Sequence, residues 1–274
     1  MPAANLCRQK SWTTPIHQHL CAALLEASSA SDRARLTACQ AFGSGDWLYA
    51  FPATTLGLHL SDDQTRTAAA LRLGAPVSLE HICVRCGSLA DPYGSHALTC
   101  PRSTGRHVRH SLLNDCVNRA LNSTKIPTRI EPTGLLSGSN IKPDGITLIP
   151  WTCGKPLAWD VTCAFPLAAS WSSTVLRNPS AVATAVEARK LQKYEGLQAS
   201  FCFEPLSVET LGGIGESSQQ LLKKMGSRLI EAASDTRAAF NFRQRLAIAI
   251  EVGNYACLQE TLPAPVTSLP PSDP

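Results

Sequence analysis

Apolar and polar residues alternate along the chain in patterns that divide it into candidate helices and strands. Over residues 106–121 apolar residues return every three to four positions, which predicts an amphipathic helix. Its expected apolar side consists of Val108, Leu112, Leu113, Cys116, Val117 and Leu121. Helices are also expected over residues 16–27, 31–42, 180–199, 216–233 and 236–260.

A helix between residues 61 and 73 is marked at both of its ends. Ser61 and Gln64 have the spacing of a capping box, in which the serine is the N-cap and the glutamine is the third helical residue. Gly74 fits the C-cap, because glycine adopts the left-handed conformation that ends many helices. The segment 43–60 before it is aromatic and interrupted by glycine and proline, so we expect a loop there.

Short strand-like segments follow the helix at 106–121. We expect strands at 128–131, 146–149 and 157–163, and a fourth that starts at 201–203 and continues towards 208. The order helix, three strands, helix, strand predicts an α/β sheet with helices packed on its faces. The expected divisions are a helical N-terminal region (1–78), a small Cys/His-rich module (79–104), the α/β domain (105–258) and a disordered tail rich in proline and serine (259–274).

Composition supports a globular protein, since 44% of the 274 residues are hydrophobic and 17% are charged. The apolar runs are far shorter than a membrane span, and the first ten residues lack the apolar core of a signal peptide. We therefore expect an intracellular protein, nuclear or cytoplasmic, that is not secreted and does not enter membranes. A net charge of +4 is compatible with nucleic-acid binding without demanding it.

Most of the eleven cysteines are scattered, and we interpret those as small core residues. Four potential metal ligands, three cysteines and one histidine, come together in one segment, with two residues between Cys83 and Cys86, nine before His96 and three before Cys100. Two ligands from one tight turn and two from a following turn can close a tetrahedron around Zn²⁺. Four protein ligands leave no open position, so this predicts a structural zinc knuckle. The alternative is four unrelated residues in a loop.

Two aspartates flank or enter the predicted strands. Asp144 precedes the second strand and Asp160 lies inside the third, where a charged residue needs a compensating partner. Two carboxylates on adjacent strands can hold Mg²⁺, with Glu131 as a third oxygen ligand, and a bound metal can polarise a phosphate and generate hydroxide. The alternative is that Asp144 belongs to a turn and Asp160 caps a neighbouring helix.

The helix predicted at 180–199 carries a basic face. Lys190 and Lys193 are three residues apart and Tyr194 adjoins them, so these side chains share one broad face. A lysine near a bound metal can stabilise the charge of a pentacovalent phosphorane. The alternative is a solvated face that also includes Glu187 and Arg189.

A basic cluster separates the knuckle from the α/β domain. Its members are Arg102, Arg106, His107, Arg109 and His110. Phosphate contacts at the start of a helix are the functional interpretation, and a solvated helix end is the alternative.

The ordered set of motifs resembles a known family. It consists of the Cys83–Cys100 ligands, Lys142-Pro143-Asp144-Gly145, Trp159-Asp160-Val161-Thr162 and Arg189 to Tyr194. This set is similar to the restriction-like endonuclease region, of the PD-(D/E)xK class, that follows the reverse transcriptase in site-specific non-LTR retrotransposons. It resembles still more closely a set of open reading frames derived from reverse transcriptases in invertebrate genomes. The similarity covers roughly residues 43–258.

The resemblance implies an endonuclease that nicks target DNA so that the freed 3′ end primes reverse transcription. It implies that Asp144 and Asp160 bind the catalytic metal. The usual signature has a lysine two residues after the second acid, where this chain has Thr162. In the retrotransposon branch a lysine of the following helix replaces it, which matches Lys190 and Lys193 with Tyr194 beside them.

Two alternatives to an enzyme remain open from the sequence. A decayed or domesticated transposon fragment can bind nucleic acid through the knuckle and the basic surface without cutting it. A pseudogene fragment can retain only the fold. DNA is the expected partner, with RNA or a separate reverse transcriptase as further ones, and Zn²⁺ and Mg²⁺ are the expected ions. The lack of a polymerase region favours the alternatives, whereas the intact acids and lysines favour the enzyme.

Overall fold

A computed structural model of the chain describes residues 9–135 and 141–263, except for the side chain of Lys10. The part of the expected tail from residue 264 onward lies outside the described residues. The helices are α1 (Gln9–Ala27), α2 (Ala30–Cys39), α3 (Asp62–Leu73), α4 (Ser95–Thr99), α5 (Gly105–Ser123), α6 (Ala181–Lys193), α7 (Glu216–Ala233) and α8 (Ala238–Gln259). The strands are β1 (His81–Ile82), β2 (Leu89–Ala90), β3 (Thr128–Ile130), β4 (Gly145–Thr152), β5 (Lys155–Ala164) and β6 (Cys202–Glu209).

The larger sheet has four strands in the order β3-β4-β5-β6. β3, β4 and β5 pair antiparallel, and β6 pairs parallel to β5 after the chain crosses over through α6. The order helix, three strands, helix, strand is therefore confirmed as a mixed α/β arrangement. Short 3₁₀ helices at Asp46–Tyr49 and Thr54–Leu56 interrupt the predicted loop at 43–60.

Helix ends follow the local signals closely in α3 and less closely elsewhere. The capping box of Ser61 and Gln64 is formed, and Gly74 has the left-handed conformation (φ 71°) at the C-cap. Helix α6 ends at Lys193, and the predicted continuation to residue 199 is a 3₁₀ segment, Glu195–Ala199. Helix α1 begins at Gln9 and contains Pro15, where the sequence predicted a start after the proline. Thr13 supports this early turn by donating to the Gln9 carbonyl at 3.2 Å.

The two faces of the sheet have different environments because side chains alternate along a strand. On one face Trp159 and Val161 of β5 pack in a core with residues of α5, α7 and α8. On the other face Ala158 packs with Tyr194 and Leu197, which follow α6. Asp160 alternates with Trp159 and Val161, so its side chain belongs to the second face. This alternation places a carboxylate between the sheet and α6.

Gly145 is required where β4 begins, because a Cβ there would lie 2.0 Å from the Trp159 ring. The indole of Trp159 thus packs flat over the backbone that follows Asp144. Asn114 of α5 accepts a hydrogen bond from the indole Nε1 at 2.7 Å. These contacts fix the position of the start of β4 relative to β5 and α5.

Candidate metal centre and acidic pair

The knuckle residues form a cluster of metal-ligand atoms. One ligand atom from each of Cys83, Cys86, His96 and Cys100 lies within 4.8 Å of every other. The Sγ atoms of Cys83 and Cys100 are 3.9 Å apart, and Cys86 Sγ is 3.3 Å from His96 Nε2. An ion with Zn–S bonds of about 2.3 Å has ligands separated by about 3–4 Å, so the cluster is compatible with a closed zinc site.

Turns around the cluster position its ligands. Strands β1 and β2 form a hairpin in which Gly87, at φ 77°, donates its N–H to the Cys83 carbonyl at 2.9 Å. Hydrogen bonds, first from Ser88, lower the pKa of the Cys86 thiol to about 6. Because the thiolate is the form that ligates metal, this shift favours binding near neutral pH.

Asp91 organises the second half of the knuckle. Its carboxylate accepts hydrogen bonds from the backbone N–H groups of Tyr93, Ser95 and His96 at 2.8 to 3.2 Å. Burial alone would raise the pKa of Asp91, but these hydrogen bonds outweigh it and the pKa is lowered. The aspartate thereby holds the turn that presents the His96 ring to the three cysteines.

The knuckle is attached to the rest of the chain through the end of α8 and the start of α5. Val84 donates its backbone N–H to the Thr261 carbonyl at 3.2 Å, and Arg85 forms an ion pair with Glu260. A Cβ on Gly105 would lie 2.5 Å from backbone atoms of Cys257, so α5 and α8 touch closely at this point. Order in the knuckle is therefore linked physically to both helices.

Asp144 immediately precedes β4, and Asp160 lies in the neighbouring strand β5. Gly145 pairs with Trp159, and one step further this antiparallel register sets Asp144 opposite Asp160. The Asp144 N–H donates to the Trp159 carbonyl at 2.9 Å, and its Oδ2 accepts the Val161 N–H at 2.6 Å. The β4–β5 pairing and the Val161 N–H thus hold the Asp144 carboxylate against the backbone of β5, next to the residue that carries the second carboxylate.

His110 of α5 contacts the first of these acids. Its Nε2 lies 2.9 Å from Oδ2 of Asp144, and this hydrogen bond raises the pKa of His110 while burial opposes the shift. Asn114, one helical turn later, donates to the Asp144 carbonyl at 3.4 Å. The sequence predicted His110 to be part of the basic surface, whereas in the structure it contacts Asp144. One sequence feature hinted at this position. His110 lies one helical turn before Asn114, and Asn114 adjoins the apolar Leu113, which is buried in the structure.

Both oxygens of Asp160 are engaged by residues at the end of α6. Lys190 Nζ contacts Oδ2, and the Tyr194 hydroxyl donates to Oδ1. The Asp160 side chain is only 6% exposed and Tyr194 is fully buried, stacked on Phe203 with ring centroids 4.4 Å apart. Burial, first, and the carboxylate together raise the pKa of Tyr194, so its hydroxyl keeps its proton and remains a donor.

The two lysines differ in position. Lys190 reaches Asp160, whereas Lys193 lies over the Tyr194 ring, 4.7 Å from its centroid, with Nζ 3.3 Å from the tyrosine oxygen. Thr162 sits two residues after Asp160, and its buried hydroxyl has no hydrogen-bond partner among the described residues. The structure therefore distinguishes lysines that the sequence left equivalent.

Glu131 approaches the acidic pair through its backbone. Its N–H donates to the Asp144 carbonyl at 3.0 Å from a left-handed conformation, φ 47°, and its side chain is exposed. Within residues 9–135 and 141–263 no third His, Cys, Asp or Glu forms a tight ligand group with Asp144 and Asp160. The expected third oxygen ligand is therefore not in place.

One member of the predicted basic surface is not at the surface, and one alternative for α6 holds only in part. Arg109 is only 3% exposed and donates to the Asn254 side chain at 3.0 Å, so it braces α5 against α8 and does not face solvent. The alternative of a solvated face on α6 fits Arg189 and Lys193, which are exposed, but not Glu187, which is buried. Arg102, Arg106 and His107 are exposed, as the basic-surface interpretation requires.

Comparison with known proteins adds no family to this description. No protein-family model matches the chain, and no curated protein matches it significantly. Among the described residues no helix has both the length and the apolar character needed to cross a membrane.

Proposed function

We propose that this chain is a metal-dependent DNA endonuclease of the PD-(D/E)xK class, related to the restriction-like endonuclease of site-specific non-LTR retrotransposons. The observation that carries the proposal is the convergence of Asp144, Asp160 and Lys190 at one end of the β4–β5 pair. A lysine supplied by α6 compensates for Thr162, which has no charge to offer.

The acidic pair fits a divalent cation in its chemistry. Two carboxylates are the ligand type that Mg²⁺ prefers, and the nearly buried Asp160 already has a cationic partner in Lys190. Asp144 and Asp160 would hold the ion, which when bound supplies a Lewis acid and an activated water. Structural zinc would occupy the Cys83–Cys100 cluster and take no part in the reaction.

The residues of the chain itself perform the remaining tasks. His110 and the Val161 N–H orient Asp144 by binding its Oδ2. Tyr194 holds Asp160 by donating its one hydroxyl proton to Oδ1, and the same hydroxyl oxygen lies 2.9 Å from the Lys142 carbonyl, near the segment that carries Asp144. Lys190 brings a positive charge to the place where phosphate oxygens gain charge in the transition state.

The start of α5 supplies a surface for the DNA backbone. Arg106 precedes His110 by one helical turn, a rise of about 6 Å, and Arg102 and His107 are exposed beside it. The first turn of α5 contains no acidic residue, so the positive charge of these side chains is not neutralised there and adds to the partial positive charge of the helix N-terminus. A strand bound to these residues would continue along α5 to the acidic pair.

The test is incubation of zinc-loaded protein with supercoiled plasmid and Mg²⁺. We expect conversion to the nicked form by the wild type, and its loss in Asp144→Ala and Lys190→Ala at unchanged zinc content. Asp63→Ala, an exposed aspartate of α3, is the matched control and should cut normally. Nicking that persists in Asp144→Ala would disprove the proposed site.

One observation favours a second candidate function, a nucleic-acid-binding protein without catalysis. Both oxygens of Asp160 are already engaged, so the carboxylate is satisfied without a metal. DNA binding that depends on Arg102 and Arg106, together with no nicking under Mg²⁺ or Mn²⁺, would identify this function.

A further inference from the structure

The hydrogen bonds of the acidic pair indicate which oxygens remain for a cation. Asp144 Oδ2 has two donors, the Val161 N–H at 2.6 Å and His110 Nε2 at 2.9 Å. Within the described part of the chain Oδ1 of Asp144 has no such donor, and this side chain is 16% exposed. A cation would therefore meet Asp144 at Oδ1.

The two donors to Asp160 differ in how easily they can leave. Tyr194 is fully buried and stacked on Phe203, so it cannot move away without disturbing the core. The Lys190 side chain is 24% exposed, and its long flexible stem can swing its ammonium towards water. Of the two oxygens of Asp160, Oδ2 is thus the one that can be vacated without disturbing the core.

We infer that the Lys190 ammonium stands in the position of a divalent cation at Asp160, and that the cation binds only by displacing it. This inference rests on the proposed function for the identity of the ion. Two positive charges cannot share one carboxylate oxygen without strong repulsion, since their Coulomb energy rises as their separation falls. Binding of the cation and release of the lysine are therefore a single coupled event.

This coupling has a consequence for the role of the lysine. While Lys190 is paired with Asp160, its charge is neutralised by that carboxylate. Once displaced, the ammonium lies beside the acidic pair with its charge available for the oxygens of a bound phosphate. Because coupling is reciprocal, the lysine must weaken cation binding by the same factor by which the cation weakens the Lys190–Asp160 pair.

Removing the ammonium should therefore strengthen metal binding. Calorimetric titration with Mn²⁺ alone, on zinc-loaded protein without DNA, should show binding to Lys190→Met that is tighter than wild type by on the order of tenfold. Lys193→Met removes the same charge near Tyr194, not at Asp160, and should change the affinity far less. Asp144→Asn should weaken Mn²⁺ binding both in the wild-type chain and in the Lys190→Met variant.

A second measurement needs no substitution at all. The rate at which an amine-acetylating reagent modifies Lys190, followed by mass spectrometry on the wild type, should rise when Mn²⁺ is added. Modification of the exposed Lys223 provides the reference. This readout keeps the test decisive even where loss of Lys190 unfolds the protein.

The inference is wrong if Lys190→Met binds Mn²⁺ no more tightly than wild type, if both lysine variants shift equally, or if Mn²⁺ leaves the acetylation of Lys190 unchanged. None of these readouts uses DNA cleavage. Wild-type nicking with no effect of Lys190 on affinity would refute the displacement and leave the endonuclease proposal intact. Tighter Mn²⁺ binding in Lys190→Met with no nicking by the wild type would support the displacement and refute the endonuclease proposal.

Discussion

Oε1 of Glu187 in α6 accepts two hydrogen bonds from Ser218 in α7, from its backbone N–H at 2.8 Å and from its hydroxyl at 2.5 Å. The other oxygen of Glu187 accepts the Ser217 N–H at 3.0 Å. A carboxylate of one helix therefore caps the first turn of another, whose own N-cap, Gly215, offers no side chain. This cap connects the helix that carries Lys190 to the body of the protein.

Removal of this cap should destabilise the fold. Glu187→Ala leaves the N–H groups of Ser217 and Ser218 without an acceptor, and we expect a loss of about 2 kcal/mol in the free energy of unfolding. Urea titration followed by circular dichroism measures it. Glu231→Ala, an exposed glutamate of α7, is the control, and an equal effect of both substitutions would contradict the capping role.

His110 should affect the rate of DNA nicking through Asp144. His110→Ala removes a donor to Oδ2, and loss of such a supporting contact typically lowers activity by about 10- to 100-fold. His110→Gln can still donate from its amide and should recover part of the activity. Plasmid nicking rates with saturating DNA test this, with His59→Ala, an exposed loop residue, as the control. Equal rates for Ala and Gln would indicate that the hydrogen bond is unimportant.

Zinc removal should reduce order at the end of α8 as well as in the knuckle. Elemental analysis should find about one zinc per chain, as one closed site requires, and Cys83→Ser should lose it. Because Val84 binds Thr261 and Arg85 pairs with Glu260, hydrogen exchange at the end of α8 should accelerate at the same time. Cys153→Ser changes an exposed thiol and should alter neither quantity. Full zinc retention in Cys83→Ser would refute the site.

Glu251 should make stability depend on pH. Burial raises the pKa of this carboxyl in α8 to about 7, so the folded chain binds its proton more tightly than the unfolded chain does. Its contribution to the free energy of unfolding is fully present below about pH 4.5. This contribution is lost as the pH rises through about 7, and the loss amounts to at most roughly 3 kcal/mol.

Glu251→Gln retains an acceptor for the Asn254 amide, which lies 3.2 Å from the carboxylate, and cannot ionise. It should match the wild type in stability near pH 4 and exceed it at pH 8. Urea titrations at both pH values measure the difference. A wild type whose stability is flat over this range, or falls equally in the glutamine variant, would show that another group is responsible.

Features encoded by neighbouring residues were determined by the sequence itself. The capping box of Ser61 and Gln64 and the C-cap at Gly74 were predicted and are confirmed. The helix α5 was predicted too, but its buried face only in part, because Val108 is exposed and Arg109 and Asn114 are buried. The same holds for the order of helices and strands and for the Cys/His cluster. Caps, periods and ligand spacings involve residues a few positions apart, so their physics is complete within a short segment.

Contacts between distant segments were decided only by the tertiary structure. Nothing local shows that Arg109 braces Asn254, that His110 meets Asp144, or that Lys190 and not Lys193 reaches Asp160. A polar residue on a helix has the same local signature whether it faces water or a partner from another element. Its burial and its partner depend on how α5, α6 and α8 pack against the sheet, and this packing is a property of the whole folded chain.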